Sequence, residues 1–308
     1  MSLLRTHSDL SAREPRGPRY PRTVVLREQN PVPWELWLRA PPPALAGLVA
    51  GLWAGDAESE FARHRLVPSR ELWLMFNLGP PQRVVEVGGL GSGQVVRAAF
   101  VCGLQESPLS FESVLEHPRA VTVRLLPLGA WAFFGGLPLA DLANQVVDLE
   151  AVLGGTAGVE PLRQRLMEAP DLGAALGILE DWLVRRLLDG PALRALTRTA
   201  LQRLVSAAGN VRVEALAHDL DVSARHLHGL FQREIGLSVK SMMRIFRFER
   251  ALDLLDADRN RDLTTLAFDC GYYDQSHLNR DFRDLAGLTP TEYLARVFVA
   301  PGWREIGG

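Results

Sequence analysis

An internal repeat in the last 118 residues is the feature that most restricts what this 308-residue chain can fold into. Five residues of one segment recur at a constant displacement of 51 positions. They are Leu227, Phe231, Gly236, Leu237 and Ser238, which return as Leu278, Phe282, Gly287, Leu288 and Thr289. Self-similarity at a fixed spacing indicates two copies of one supersecondary unit.

Each copy has the pattern of two helices separated by a tight turn. Apolar residues at helical spacing predict a short amphipathic helix over 213–220 and another over 263–270. Ser223 and Asp274 follow them and are suitable N-caps, because their side chains can accept bonds from the free N–H groups of a new helix. The repeat therefore predicts two helix-turn-helix units, with second helices over about 224–234 and 275–285.

The second helix of each unit is predicted to bury one face and to expose a face rich in hydrogen-bond donors. The buried stripes are Leu227, Leu230 and Phe231, and Leu278, Phe282 and Leu285. The outward residues are Arg225, His228, Gln232, Gln275, Ser276, Asn279, Arg280 and Arg283. Such side chains read base edges and phosphates, although paired helical units can bind protein instead. A helix over 240–255, about 24 Å long, makes a separation of one turn of B-DNA, ~34 Å, feasible.

Charge is distributed unevenly over a chain whose net charge is −2. Residues 223–250 carry six basic side chains against two acidic ones, whereas residues 256–288 carry four arginines against seven aspartates. A globally acidic protein is not a nonspecific polyanion binder, so nucleic-acid binding must come from local charge. We expect the first unit and the connecting helix to form the positively charged surface that would contact a nucleic acid.

The repeat region resembles the AraC/XylS family of bacterial transcription regulators. The segments that carry the resemblance are Ser223–Leu227, Gly236–Ser238, Arg247–Ala251, Gly271–Leu278 and Gly287–Pro290, with Leu216, Ala217 and Phe231. The resemblance implies two helix-turn-helix subdomains joined by one long helix, with both recognition helices on the same face of duplex DNA. It also implies RNA polymerase as a partner and favours activation over repression.

Site residues follow from the matching positions. The resemblance implies as base-reading residues Arg225, His228, Gln275, Ser276, His277, Asn279 and Arg280. We expect phosphate contacts from Ser223, Gln232, Lys240, Arg244, Arg247 and Arg283. Gly229 departs from the family, which often has a long polar side chain there, so the first unit is expected to read fewer bases.

The remainder of the chain is predicted to be an α+β, mostly-β domain over 23–190, followed by an all-α domain over 191–308. Strand patterns run over 63–67, 72–78, 83–87, 94–101 and 120–126, and the glycines at 88–93 suit a hairpin loop. Helical spacing begins after Pro138 with Leu139, Leu142 and Val146, and continues to Leu187. A looser family resemblance of this half implies a cupin-like barrel that binds a small-molecule effector or forms a homodimer, without assigning ligand residues.

Other classes of protein are excluded by what the sequence lacks. No apolar stretch reaches the ~20 residues of a membrane span, and residues 1–22 read as a disordered leader without a signal-peptide core. Two cysteines suit the cytoplasm and rule out a disulfide framework. His226 and His228 point to different helix faces, so no metal site is expected. No catalytic motif or cofactor motif is present, and the alternative to a DNA-binding regulator is an effector-binding module whose helical half contacts protein.

Overall fold

The computed structural model describes residues 23–25, 34–57, 63–87, 90–113, 119–155, 158–296 and 303–305. The predicted disordered leader, residues 1–22, lies outside the described residues. Within these ranges no helix is long and apolar enough to cross a membrane.

The N-terminal domain is built on two sheets, which are antiparallel except where the C-terminal strand joins the second sheet. The strands are β1 Thr23–Val25, β2 Trp34–Arg39, β3 Val49–Ala57, β4 Arg63–Leu66, β5 Leu72–Asn77, β6 Gln82–Val87, β7 Leu90–Gly91, β8 Val95–Val96, β9 Ala99–Cys102, β10 Leu109–Ser113, β11 Arg119–Leu125, β12 Val146–Asp148 and β13 Trp303–Glu305. One sheet has the order β1-β4-β10-β6-β7, with β8 also on β6. The other has the order β12-β9-β5-β11-β3-β2-β13, in which β13 is parallel to β2.

Strand β5 shows why the second sheet is covered on both sides. All six of its residues are buried, as expected for a strand whose two faces both meet other layers. Trp73 and Met75 pack towards the first sheet, while Leu74 and Phe76 belong to the core beneath the helices. The two sheets therefore pack face to face, and a helical layer covers the second sheet on its outer side.

The α-helices come after strand β11 in the chain, with β12 lying between α1 and α2. They are α1 Pro127–Phe133, α2 Leu149–Val152, α3 Val159–Met167, α4 Leu172–Leu187, α5 Ala195–Ser206, α6 Val213–Asp219, α7 Ala224–Glu234, α8 Val239–Ala257, α9 Leu263–Asp269, α10 Gln275–Ala286 and α11 Pro290–Arg296. The α+β class is confirmed, with a mostly-β N-terminal part and a helical C-terminal part. The all-α prediction for 191–308 did not include strand β13, which pairs with β2 of the second sheet.

Most of the predicted strands are present, but two stretches differ from the prediction. The segment 94–101 forms two strands, because β8 pairs with β6 in the first sheet whereas β9 pairs with β5 in the second. The helix predicted from Leu139, Leu142 and Val146 is wrong: Leu139–Asp141 is one turn of 3₁₀ helix, and Val146 begins strand β12. Val146 pairs with Cys102 of β9, so a tertiary partner decides its conformation.

The hydrophobic core does not divide at the predicted boundary near residue 190. One continuous cluster of buried residues runs from the second sheet through α4 and α5 into α7 and the first half of α8. The second half of α8 and helices α9 to α11 form a separate cluster, which also includes Val67 from the N-terminal domain. The two helical units therefore have different cores, although they are copies of one pattern.

Candidate nucleic-acid interface

The first helix-turn-helix unit consists of α6 and α7. Its turn is closed by a 3.0 Å hydrogen bond from the Val222 N–H to the Ala217 carbonyl, and Asp221 takes the left-handed backbone with φ 54°. Ser223 caps α7, since its hydroxyl oxygen accepts from the His226 N–H at 3.1 Å. The predicted cap and the predicted start of the recognition helix are confirmed.

The second unit, α9 and α10, repeats this geometry. Gly271, with φ 75°, takes the left-handed position, and the Tyr272 N–H donates to the Ala267 carbonyl at 2.9 Å. Asp274 caps α10 by accepting from the His277 N–H at 2.7 Å. The two units therefore share their turn geometry and their capping as well as their sequence pattern.

Both recognition helices bury the predicted apolar stripe. Leu227 and Phe231 in α7, and Leu278 and Phe282 in α10, are each 0% exposed. The opposite face of each helix is consequently the side that a partner can reach.

The predicted base-reading residues fall into two groups. Arg225 and His228 of α7, and Ser276 and Arg280 of α10, are exposed and lie in the first halves of their helices. No ion pair holds Arg225 or Arg280 to another residue in the part of the chain that is described. These four side chains are free to contact a duplex, and their base-reading role stays a prediction.

The other three predicted base-reading residues are half-buried, and two of them have internal side-chain contacts. The Gln275 side-chain oxygen accepts from the Thr264 hydroxyl at 3.4 Å. The His277 ring lies edge-on to the Tyr272 ring, with 5.2 Å between centroids. The Asn279 side-chain oxygen is buried without a hydrogen-bond partner among the described residues. The base-reading role of these three residues also stays a prediction.

The residues predicted to contact phosphates also differ in their exposure. Ser223, Lys240 and Arg283 are exposed, and Gln232 is half-buried. Arg247 is half-buried, with its guanidinium carbon 5.4 Å from the centre of the Tyr272 ring. Lys240 and Arg283 are therefore the cations of this group that are most available to a polyanion.

Arg244 has an internal role that the sequence prediction missed. Its guanidinium donates to Asp281 at 3.0 and 2.8 Å and to Asp284 at 2.7 Å, which ties α8 to the second recognition helix. Burial alone would lower the pKa of Arg244, but the bonds to Asp281 and Asp284 outweigh it and raise the pKa above the usual value. These contacts are those of a structural link between helices, and we propose that role for Arg244 in place of the predicted phosphate contact.

A basic recess lies beside the first recognition helix and was not predicted. Its volume is about 460 Å³, and it is lined by Arg194, Ser223, Arg225, His226, Gly229, Leu230 and Arg233. Arg194 precedes α5, and its Nε lies 3.0 Å from a carboxylate oxygen of Glu234, which is fully buried. The sequence held one signal for this recess, the unusual glycine at position 229.

Two loops of the N-terminal domain form polar contacts with the connecting helix α8. The Arg70 N–H donates to Glu249 Oε1 at 3.0 Å, and the Arg70 side chain lies 3.6 Å from Glu249 Oε2. At the start of α8, the Ser241 hydroxyl donates to Glu106 of the loop between β9 and β10. The position of α8 is thus set by polar contacts with two loops of the sheets.

The β4–β5 segment, strand β4 and the loop after it that carries Arg70, also contacts the second unit. Arg65 donates to the carbonyl of Ala286 at 3.3 Å, at the C-terminal end of α10, and Val67 is buried in the core of that unit. Strand β4 and the loop after it therefore contact the connecting helix and the second recognition helix together.

A buried ion pair lies between the sheets of the N-terminal domain. Arg124 on β11 donates to Glu71 at 3.0 Å, and their side chains are only 4% and 7% exposed. Nearby strand positions carry Trp53 and Thr122, whose indole N–H and hydroxyl are buried without a hydrogen-bond partner among the residues described. Buried polar groups are normally paired, so this interior has unused hydrogen-bonding capacity.

Two family models match the chain. Residues 216–296 match the model described as a helix-turn-helix domain, which covers both units and α8. Residues 39–148 match a domain of unknown function, DUF6597, which covers most of the two sheets.

The relatives are bacterial regulators. The chain is 28% identical over 128 residues to the arabinose operon regulatory protein of Escherichia coli K12, covering 39% of this chain and 44% of that protein. It is 31% identical over 150 residues to the transcriptional activator RhaR of Pectobacterium carotovorum, covering 45% and 52%. It is 32% identical over 133 residues to the invasion protein InvF of Salmonella typhi, covering 42% and 54%. The matches thus span about half the length of these curated relatives.

Among solved structures, fatty-acid-bound ToxT from Vibrio cholerae matches with a TM-score of 0.46 and 11% identity, covering 88% of this chain and 98% of that one. The family model and the repeated turn geometry agree on residues 216–296. The C-terminal part of this chain is therefore a double helix-turn-helix domain, and it is similar to those of regulators of the AraC/XylS family.

Proposed function

We propose that this protein is a sequence-specific DNA-binding transcription regulator in which α7 and α10 read adjacent major-groove segments. The observation that carries the proposal is that each recognition helix exposes an arginine outside its buried stripe, Arg225 in α7 and Arg280 in α10. The two do not occupy equivalent positions of the repeat, since Arg225 is the second residue of α7 and Arg280 the sixth of α10. Arginine at such a position can donate two bonds to guanine, the commonest specific contact in protein–DNA complexes.

Fluorescence anisotropy with purified full-length protein tests the proposal. The probes are a duplex from the upstream region of the gene and a shuffled duplex of the same composition, at ~150 mM salt. We expect the native duplex to bind about 10³-fold more tightly. If neither duplex binds specifically, selection from random duplexes follows, and failure to enrich any sequence refutes the proposal.

The salt dependence separates this proposal from its alternative, in which the helical half binds a protein. Release of counterions from neutralised phosphates makes DNA affinity fall steeply with salt. A protein-binding surface with the mild charge of this domain would lack that steep dependence.

We also propose that the protein activates transcription through RNA polymerase. Support comes from relatives that are themselves described as activators, such as RhaR of Pectobacterium carotovorum. A promoter reporter in cells lacking this gene tests the sign, and increased expression in its absence would contradict activation. The cytoplasmic location expected from the cysteine count belongs to the same proposal.

For the N-terminal domain we propose binding of a small polar effector between the sheets. The unpaired Trp53 N–H and Thr122 hydroxyl beside the Glu71–Arg124 pair support this. We expect native mass spectrometry to detect a small molecule bound to wild-type protein and lost from Thr122→Val. Identical masses at the sequence value would contradict the proposal. Sedimentation as monomers at micromolar concentration would exclude the dimerisation alternative.

The β4–β5 segment offers a route from that interior to the DNA-binding helices. Glu71 bonds Arg124 between the sheets, while its neighbour Arg70 bonds Glu249 of α8. A ligand that moves Glu71 therefore acts on a residue directly linked to the helix that joins both units.

A further inference from the structure

Gly229 has no structural reason within the described residues to be glycine. It lies inside α7 with ordinary helical backbone and is not among the glycines with positive φ. A Cβ atom at this position would meet nothing within 4 Å. The other glycines inside described helices, Gly129, Gly173 and Gly177, each have another group within 3.4 Å of that position. Packing can explain those three, but not Gly229.

A glycine in an exposed helix interior destabilises the helix relative to alanine. Nothing inside the molecule compensates for this, since the position opens onto the basic recess of about 460 Å³. A glycine is otherwise used where a ligand must approach the backbone closely. The partner that explains Gly229 is therefore outside the protein and comes close to the main chain of α7.

The walls of the recess define the charge of that partner. Arg194, Arg225 and Arg233 all line it, so three guanidinium groups face one small volume. Arg194 already balances the buried Glu234, whereas Arg225 and Arg233 have no acidic partner in the described part of the chain. The recess thus has an excess of positive charge and suits an anion.

We propose that this recess seats a phosphate of the DNA backbone, with the strand in van der Waals contact with α7 at Gly229. The inference rests on the proposed DNA-binding function and deepens it. Ser223 and Arg225 belong both to the recess and to the predicted DNA face, so an anion in the recess is continuous with a duplex read by α7. Arg225 is assigned to a base and Arg194 to Glu234, so Arg233 is the guanidinium left to bind the phosphate oxygens in paired, charged hydrogen bonds.

Opposite effects on stability and on binding test the proposal. Gly229→Ala has room for its methyl group and is expected to raise Tm by about 2 to 4 °C through helix propensity. The same methyl group holds the phosphate away, so affinity is expected to fall about tenfold for native and shuffled duplexes alike. Thr199→Ala is the matched control, because it raises helix propensity on the exposed face of α5 and should leave DNA affinity unchanged.

A second pair of variants measures the charge. Arg233→Gln is expected to reduce the slope of log Kobs against log salt by about one, because one phosphate contact is lost. Arg198→Gln removes an exposed arginine of α5 outside the recess and should leave the slope unchanged.

The outcomes distinguish the failure of this inference from that of the proposed function. Steep, salt-dependent binding by the wild type with equal affinity for Gly229→Ala overturns the phosphate seat and leaves the DNA-binding proposal intact. Absence of DNA binding by the wild type overturns both. Measuring Tm in inorganic phosphate and in chloride at equal ionic strength tests whether the recess binds a free anion instead. A shift lost in Arg233→Gln, with DNA affinity unchanged, reassigns the recess to that anion and overturns the inference.

Discussion

Replacing Arg244 with glutamine separates a structural link from a DNA contact. Arg244 is 27% exposed and bonds Asp281, which is 5% exposed, and Asp284, which is 51% exposed. The exposed pair with Asp284 contributes little, about 0.5 kcal/mol. Removing a partner from a fully buried ion pair costs about 3 to 5 kcal/mol because the other charge remains buried and unpaired.

The partial exposure of Arg244 reduces this estimate, so we expect Arg244→Gln to lower the free energy of unfolding by about 2 to 3 kcal/mol. For a chain of this size the corresponding fall in Tm is about 5 to 10 °C. Adding Asp281→Asn in the same protein should recover part of the loss, because the buried group becomes neutral. Thermal unfolding followed by circular dichroism gives Tm for the wild type, for Arg244→Gln and for the double variant.

The DNA-binding assay provides the contrast. Lys240 is exposed on the same helix, so Lys240→Gln should reduce the salt slope by about one and leave Tm unchanged. Arg244→Gln should lower Tm and leave the slope unchanged. If Arg244→Gln instead keeps the wild-type Tm and reduces the slope, Arg244 contacts a phosphate and our structural reasoning is wrong.

Three further outcomes are expected. Arg225→Ala and Arg280→Ala should each weaken binding to the preferred duplex by about 1 to 3 kcal/mol and relax base preference at one position, measured by competition with single-base variants; unchanged binding in both would contradict their roles. Glu71→Gln should destabilise the N-terminal domain by about 3 kcal/mol because Arg124 stays buried without its carboxylate, and denaturant unfolding with an unchanged midpoint would oppose this. Burial raises the pKa of Cys270 to about 11. Folding therefore favours the neutral thiol, so the free energy of unfolding keeps this contribution in full below pH ~9 and loses it towards pH 11. Cys270→Ala should show a smaller fall in the free energy of unfolding over the same pH range.

The repeated units were predictable because their determinants are local. Ser223 and Asp274 cap the helices that follow them whatever surrounds them, and the apolar stripe of each recognition helix is a property of spacing alone. The starts predicted near residues 224 and 275 therefore agree with the observed starts of α7 and α10.

Contacts between distant residues could not be predicted in this way. Arg244 lies 37 positions from Asp281, and nothing in the sequence distinguishes this arginine from one that faces solvent. Val146 forms a strand only because β9 lies beside it, although its spacing from Leu139 and Leu142 fits a helix. In both cases tertiary partners decide the role of a residue whose local pattern fits two outcomes.

The continuous core from the second sheet into the first half of α8 has a consequence for how the protein unfolds. The N-terminal domain and the first unit should melt together in one cooperative transition, because neither can lose its packing without exposing the other. The second unit, whose core is separate, can open on its own at lower free energy. Amide hydrogen exchange should therefore protect Leu227 together with Leu74 of the sheet, while Leu278 exchanges as part of a different unit. A cut at residue 190 would pass through the first of these units and not between them.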